Sequence, residues 1–461
     1  MRITATFGVF STPPRLALNG AGFGLMVGEM NRRLFLLSTA GLAAAPDPQP
    51  APPPVGDAPA PLKASTAGMS DWLAAVRVKA LAAGVRAETV DQAFRDLSPD
   101  PIVLKRDTNQ PEFTKPIGDY VSGVVSPANV AAGQVRREGL HNTLAPIVAA
   151  RGVPEEILLA VWGVESAFGR ITGDMDVIRS IATQGMVGRR PKFAEQEMIA
   201  ALKILDQGLA SREQMRGSWA GAMGQTQFMP SDYLAYADDG DGDGRKDIWG
   251  SSADALASTA RFLAEKAHWR RGESWALEAT VPKGFDYALA EADARTPVEW
   301  ASLGVGLASA TGVSAADQSA SAVLLTPQGW RGPAFLAFPN HMAIRAYNNS
   351  TAYALAVGLL ADQIAGRPPL RTAWPKDPPL QLADRIAAQQ ALKGLGYDPG
   401  AVDGVLGVRT RKAAKDWQAA KSLPADGYLT MDLIQTLKAE AGLSSGAPPA
   451  VAPPSASDRA G

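Results

Sequence analysis

Residues 154–169 read PEEILLAVWGVESAFG. At about 100° per residue, Leu158, Val161, Trp162, Glu165 and Phe168 fall on one face, so the run predicts a helix whose apolar stripe contains a carboxylate. Glu155 and Glu156 are ordinary, because acidic residues in a first turn complement the helix dipole. Glu165 is different: it lies in the last turn, where the dipole's negative end disfavours a carboxylate, among apolar neighbours. Both effects favour the neutral acid. A carboxyl group kept protonated near neutral pH is what a glycosidic oxygen needs from a general acid. A structural ion pair with the nearby Arg170 explains the same pattern, and spacing alone leaves both readings open.

Outward from this helix, most of the chain repeats the same periodicity. Residues 70–83, 87–97, 127–151, 193–208, 252–266 and 350–364 also carry apolar residues at three-to-four spacing. Gly169 and Gly366 stand where C-terminal caps belong, and Pro127 and Pro154 where a first helical residue belongs. Pro146 should kink or split the 127–151 segment. Strand character is confined to 275–287 and to the later runs AVLLTP and FLAF. The expectation is a mainly α (α+β) protein with a small β insertion.

Composition narrows the chemistry. The 461 residues suffice for about three domains, and 46% hydrophobic content is enough for a sizeable core. With no cysteine, disulfides, thiolate metal sites, Cys nucleophiles and a lipidated N-terminal Cys are excluded. Three histidines, His141, His268 and His341, leave little for a histidine-rich metal site. The balance of 45 Lys+Arg against 46 Asp+Glu offers no case for a nucleic-acid partner. Carboxylates, amides, hydroxyls and aromatics remain, and these are the side chains that handle carbohydrate.

From Met30 the run MNRRLFLLSTAGLAAAP has the charged, apolar and small-residue regions of an export signal, with Arg32 and Arg33 as a twin-arginine pair. Its apolar part is too short to span a bilayer. Residues 1–29 are then read as an over-called start, 30–45 as the signal and 46–66 as a Pro/Ala-rich linker. A body at 67–370, a Pro-rich break at 371–379, a small domain at 380–440 and a disordered tail at 441–461 complete the division. The expected location is the periplasm, without a lipid or membrane anchor.

Four blocks carry a resemblance. GVESAFGR, RRPKF, GSWAGAMGQTQFMPSDYLAYADDGDGDGRKDIW and RAYNNSTAYA fall in the order found in the lytic murein transglycosylase B family, over roughly residues 70–370. The chain resembles that family, which implies a lysozyme-like helical catalytic domain acting on peptidoglycan glycan strands. By the same resemblance Glu165 is the single catalytic acid and base. Ser218, Gln227, Arg189, Arg190, Tyr347, Asn348 and Tyr353 are similar to the residues that position glycan. Such an enzyme cleaves the MurNAc–GlcNAc β-1,4 bond without water and leaves 1,6-anhydro-MurNAc ends. A muramidase hydrolysing the same bond, or a catalytically silent wall-binding scaffold, are the competing readings. Gly217, Gly221 and Gly224 could admit substrate to the backbone, although a tight core turn explains each of them singly.

Asp239-x-Asp241-x-Asp243-Gly244 followed by Asp247 has the first half of an EF-hand loop, but position twelve is Gly250 instead of Glu. The family resemblance supplies Asp254 and the Arg245 carbonyl as the missing ligands of a structural Ca²⁺. An Asp-Gly-rich surface turn is the other reading. Farther on, Asp403-Gly404-Val405-Leu406 recurs as Asp426-Gly427-Tyr428-Leu429, each a turn followed by a helical pattern. This part resembles the small three-helix peptidoglycan-binding domain of wall enzymes, which would act as an anchor on the polymer. A stabilising helical appendage is the alternative.

Overall fold

Helix makes up 55% of the described residues and strand 6%. The computed structural model describes residues 66–108, 115–187, 190–309 and 313–443. The expected over-called start and signal, the leading linker up to residue 65, most of the tail and Arg189 lie outside them.

The opening segment folds as the helix Glu155–Ser166. It is not amphipathic: every residue from Ile157 to Ser166 is buried. The reason is its central place, with the helices Thr351–Ile364, Pro127–Gly139 and Ser252–Arg261 packed around it. A helix surrounded on all sides needs apolar residues on all sides, so the single stripe read from its sequence understates its burial. Pro154 is the N-cap here, not the first helical residue. The C-terminus ends in three successive left-handed residues, Ala167, Phe168 and Gly169, with φ of 49°, 59° and 79°. Only the last is a glycine, so Ala167 and Phe168 hold this conformation at a cost of order 1 kcal/mol each.

The 127–151 segment does split, but not at Pro146. The break falls at Leu140, between the helices Pro127–Gly139 and His141–Arg151, and Pro146 sits inside the second. With the break placed that close upstream, Pro146 forfeits one intrahelical bond, to Asn142, and no long helix has to bend. The helix Ser252–Arg261 runs on into a wider-wound turn, Phe262–Lys266.

Strands appear where the β pattern was read. Ala276–Thr280, Val323–Leu325 and Ala334–Ala337 join Gly306–Leu307 in an antiparallel sheet of order Gly306–Leu307, Ala276–Thr280, Ala334–Ala337, Val323–Leu325. The sheet has a core of its own around Trp300, Phe338 and Leu324. A second ladder, Met175–Asp176 with Arg216–Gly217, was not anticipated, since two-residue strands carry no readable alternation.

Three helices, Leu382–Gly394, Val408–Ala420 and Met431–Glu440, pack around the buried Trp417 to form the C-terminal domain. The repeat seen in its sequence is a repeat of structure. Gln389 Oε1 accepts from Gly404 N and its Nε2 donates to the Val405 carbonyl; Gln418 does the same for Gly427 N and the Tyr428 carbonyl. The Pro-rich break is strapped down, not loose. Backbone amides of Arg371 and Thr372 donate to the Glu278 carboxylate, Asp377 pairs with Arg331, and Trp374 packs beside Phe335.

Candidate active site

Glu165 is 2% exposed, and its Oε1 accepts a hydrogen bond of 2.7 Å from the phenol of Tyr353. Tyr353 is placed by the first turn of Thr351–Ile364, where Ser350 caps the helix by accepting from Tyr353 N. Burial, with the charge of Glu165 beside it, holds the Tyr353 phenol protonated well above the usual phenol range. A second phenol, Tyr120, is raised for the same two reasons. It comes from the helix Ile117–Val124, which packs on Thr351–Ile364. Arg170 donates from Nε to the Ala167 carbonyl at 3.1 Å instead of closing the ion pair with Glu165.

Tyr347 and Asn348 end the neighbouring helix Pro339–Tyr347. The Tyr347 ring packs on Phe262 and its hydroxyl donates to the Thr226 carbonyl, so it braces the GSWAGAMGQTQF loop from within. Asn348 is 2% exposed, and neither side-chain amide atom has a hydrogen-bond partner among the described residues. A buried primary amide left this way loses several hydrogen bonds that solvent would supply, which suits a group waiting for a ligand. Gln227, with φ of 51°, spends its Nε2 on the carbonyls of Thr172 and Gly224. Through these bonds it fixes the loop.

Ser218 lines a cleft of about 480 Å³ together with Ile102, Arg106, Arg170, Thr172 and Trp219. Arg190 is the half-buried N-cap residue of the helix Pro191–Asp206. Gly217 faces the Ala222 carbonyl so closely that a Cβ would stand 2.0 Å from the oxygen. There the glycine serves the tight core turn, not an approach of substrate.

The acidic loop brings together three of its predicted ligands. Carboxylate oxygens of Asp239, Asp241 and Asp254 lie within 4.8 Å of one another. Asp254, 1% exposed, is pushed up by burial, with Asp241's charge adding to it and amide hydrogen bonds from Gly240 and Asp247 opposing it. Asp243 and Asp247 lie outside this cluster; Asp243 accepts from Arg245 N, and Asp247 from the amides of Trp249 and Gly250. Three converging carboxylates without a lysine or arginine among them fit a hard divalent cation.

Tyr120 was missed by the sequence reading, as was Gln225, whose side-chain oxygen accepts from the Trp162 indole at 2.9 Å beneath the left-handed turn. The aromatic at position 120 in an eight-residue helix interrupted by Gly118 and Gly123 gave no periodic signal to follow.

Similarity to known proteins bears on this geometry. The family model described as Transglycosylase SLT domain matches residues 68–362, and a peptidoglycan binding domain model matches 381–437. Membrane-bound lytic murein transglycosylase B of Escherichia coli (strain K12) is 32% identical over 259 residues, which is 53% of this chain and 66% of that protein. The crystal structure of SltB3 from Pseudomonas aeruginosa in complex with NAG-anhNAM-pentapeptide is 45% identical, with a TM-score of 0.75 over 80% of this chain and 99% of that one. The Escherichia coli lytic transglycosylase Slt35 in complex with calcium is 26% identical, with a TM-score of 0.52 over 65% of this chain and 92% of that one. Since the first of these matches spans well over half of the 461 residues, the chain belongs to the transglycosylase SLT domain family.

Proposed function

We propose that the protein is a peptidoglycan lytic transglycosylase in which Glu165 is both acid and base. The observation that carries this is a carboxyl group 2% exposed and held by a neutral phenol. Tyr353 can donate to the carboxylate or accept from the carboxylic acid, so the bond survives each change of protonation. Protonated Glu165 gives its proton to the oxygen between MurNAc and GlcNAc. The bond from MurNAc C1 to that oxygen breaks and GlcNAc leaves with a 4-hydroxyl. The muramic acetamido group helps to stabilise the positive charge left on the sugar. The Glu165 carboxylate then takes the proton of the muramic 6-hydroxyl, and O6 closes on C1. No water enters, and the acid is restored for the next cycle. The unpartnered Asn348 amide supports a contact with a sugar hydroxyl or acetamido group. Arg170 and Arg106 in the cleft suit carboxylates of the lactyl and peptide arms.

Mass spectrometry of digested sacculi tests the reading. Anhydro-ended products are expected, whereas reducing ends alone would favour the hydrolytic muramidase. The RR-bearing run at 30–45 supports export to the periplasm, and the matched C-terminal domain supports retention on the wall. Asp239, Asp241 and Asp254 would hold a structural Ca²⁺, which a family relative solved with calcium makes reasonable. A thermal melt several degrees higher with Ca²⁺ than with chelator is expected, and coincident melts would reduce the loop to a turn.

A further inference from the structure

Gln328 is fully buried where three parts of the chain meet. Its Oε1 accepts from Gly118 N at 2.7 Å, at the start of the helix that carries Tyr120. Its Nε2 faces the Pro375 carbonyl of the interdomain strap and the Tyr428 hydroxyl of the C-terminal domain, each at 3.4 Å. The approach is tight on both sides. A Cβ at Gly118 would stand 2.6 Å from Trp374 Cβ, and at Gly329, with φ of 68°, a side chain would collide with Asp426. Asp426 in turn accepts from Trp330 N at 2.8 Å. The second Asp-Gly turn of the repeat is therefore spent on docking to the body. Around this contact Arg411 pairs with Glu291 at 2.7 Å, and Lys415 donates to the Ala290 carbonyl at 2.8 Å.

We propose that Gln328 is a positioning residue through which the docked C-terminal domain sets the Ile117–Val124 helix, and with it Tyr120, against the Tyr353–Glu165 pair. The proposal rests on the catalytic reading of Glu165. It gives the C-terminal domain a task besides anchoring: it is one wall of the seat that holds the groove. An acceptor lost at Gly118 N frees the first turn of a short helix, and small displacements near a reacting centre lower turnover steeply.

The test separates anchoring from positioning by kinetics. A lost anchor raises KM, while a lost positioning contact lowers kcat at saturating substrate. In the full chain, Arg411→Glu with Lys415→Glu places two carboxylates against Glu291 and two backbone carbonyls, without altering any residue of the body. On a soluble tetrasaccharide of alternating GlcNAc and MurNAc, kcat is expected to fall about fivefold. Adding Glu291→Arg should restore part of it. Within the body, Gln328→Leu should lower kcat similarly, and Gln328→Glu, which keeps an acceptor for Gly118 N, should recover most of it. Wild-type kcat in a variant shown by small-angle scattering to have undocked would overturn the proposal. So would equal losses in Gln328→Leu and Gln328→Glu. Failure of the wild type to make anhydro products would instead sink the catalytic reading, a result distinct from either.

Discussion

One helix, Thr351–Ile364, serves two carboxyl groups, one buried and one half-buried, and serves them differently. Near its N-terminus Tyr353 offers a neutral phenol to Glu165. Near its C-terminus Asp362 is gripped by the Arg367 guanidinium at 2.6 Å and by the Trp275 indole at 3.2 Å. Glu165 is 2% exposed and the Asp362 side chain 19%, and Asp362 has a guanidinium drawn onto it. A guanidinium stabilises one protonation state and resists the other. A phenol tolerates both, because it can reverse its hydrogen bond. The contrast separates a carboxylate kept for structure from one suited to pass a proton back and forth.

The largest effect should come from breaking the first side of the comparison. Glu165→Gln keeps the shape and an oxygen that Tyr353 can reach, but it can neither give nor take a proton. Release of anhydro-ended fragments should fall about 10³-fold or more, with wall binding and melting temperature near wild type. Residual release close to wild type would move the catalytic role to another group.

The second prediction concerns Asp362, whose pKa is pushed up to about 6 from 3.8 by burial, with Arg367 and Trp275 only partly opposing. A folded-state pKa above the unfolded one means that the native protein binds the proton more tightly. The associated stability is then fully present below about pH 4 and is lost as pH rises through about 6. A shift of roughly two units corresponds to about 3 kcal/mol. Asp362→Asn removes this dependence. Urea unfolding of both proteins from pH 4 to pH 8 should show the stability difference moving by about that amount in favour of the variant. A constant difference would mean that folding leaves the Asp362 pKa where it is in the unfolded chain.

The two sites were not equally legible in the sequence. Glu165 could be read because a carboxylate in an apolar run is conspicuous, and the helix containing it was placed within a few residues. Asp362 could not: its partner Trp275 is 87 residues away, and such pairings leave no local trace. Tyr120 was hidden for a related reason, since a short helix with two glycines has no period. In the acidic loop the spacing identified Asp239 and Asp241, whereas Asp254 entered through family resemblance. Asp243 and Asp247 share that spacing without joining the cluster, and amide contacts do not tell them apart, since Asp239 also accepts from Gly242 N and Gly244 N. Proline content marked an interdomain break, but composition could not reveal that Trp374 and Asp377 pin it to the body.

The smallest of the three effects tests the bond on which the comparison turns. Tyr353→Phe deletes one hydroxyl and leaves the ring, which is 1% exposed, to fill the same space. If the phenol only packed, turnover would hardly change. If it steadies Glu165 through both protonation states, its loss removes a hydrogen bond to a charged group in one half of the cycle and to a neutral acid in the other. The first is worth about 1.5 kcal/mol or more, so kcat should fall about tenfold, with KM little altered. Tyr347→Phe is the matched control. Its hydroxyl binds the Thr226 carbonyl instead of a carboxylate, so its loss should be felt in the melting temperature before it is felt in kcat. Equal kinetic losses in the two variants would show that phenols near Glu165 act by packing the groove, and the distinction between the two ends of the helix would rest on Asp362 alone.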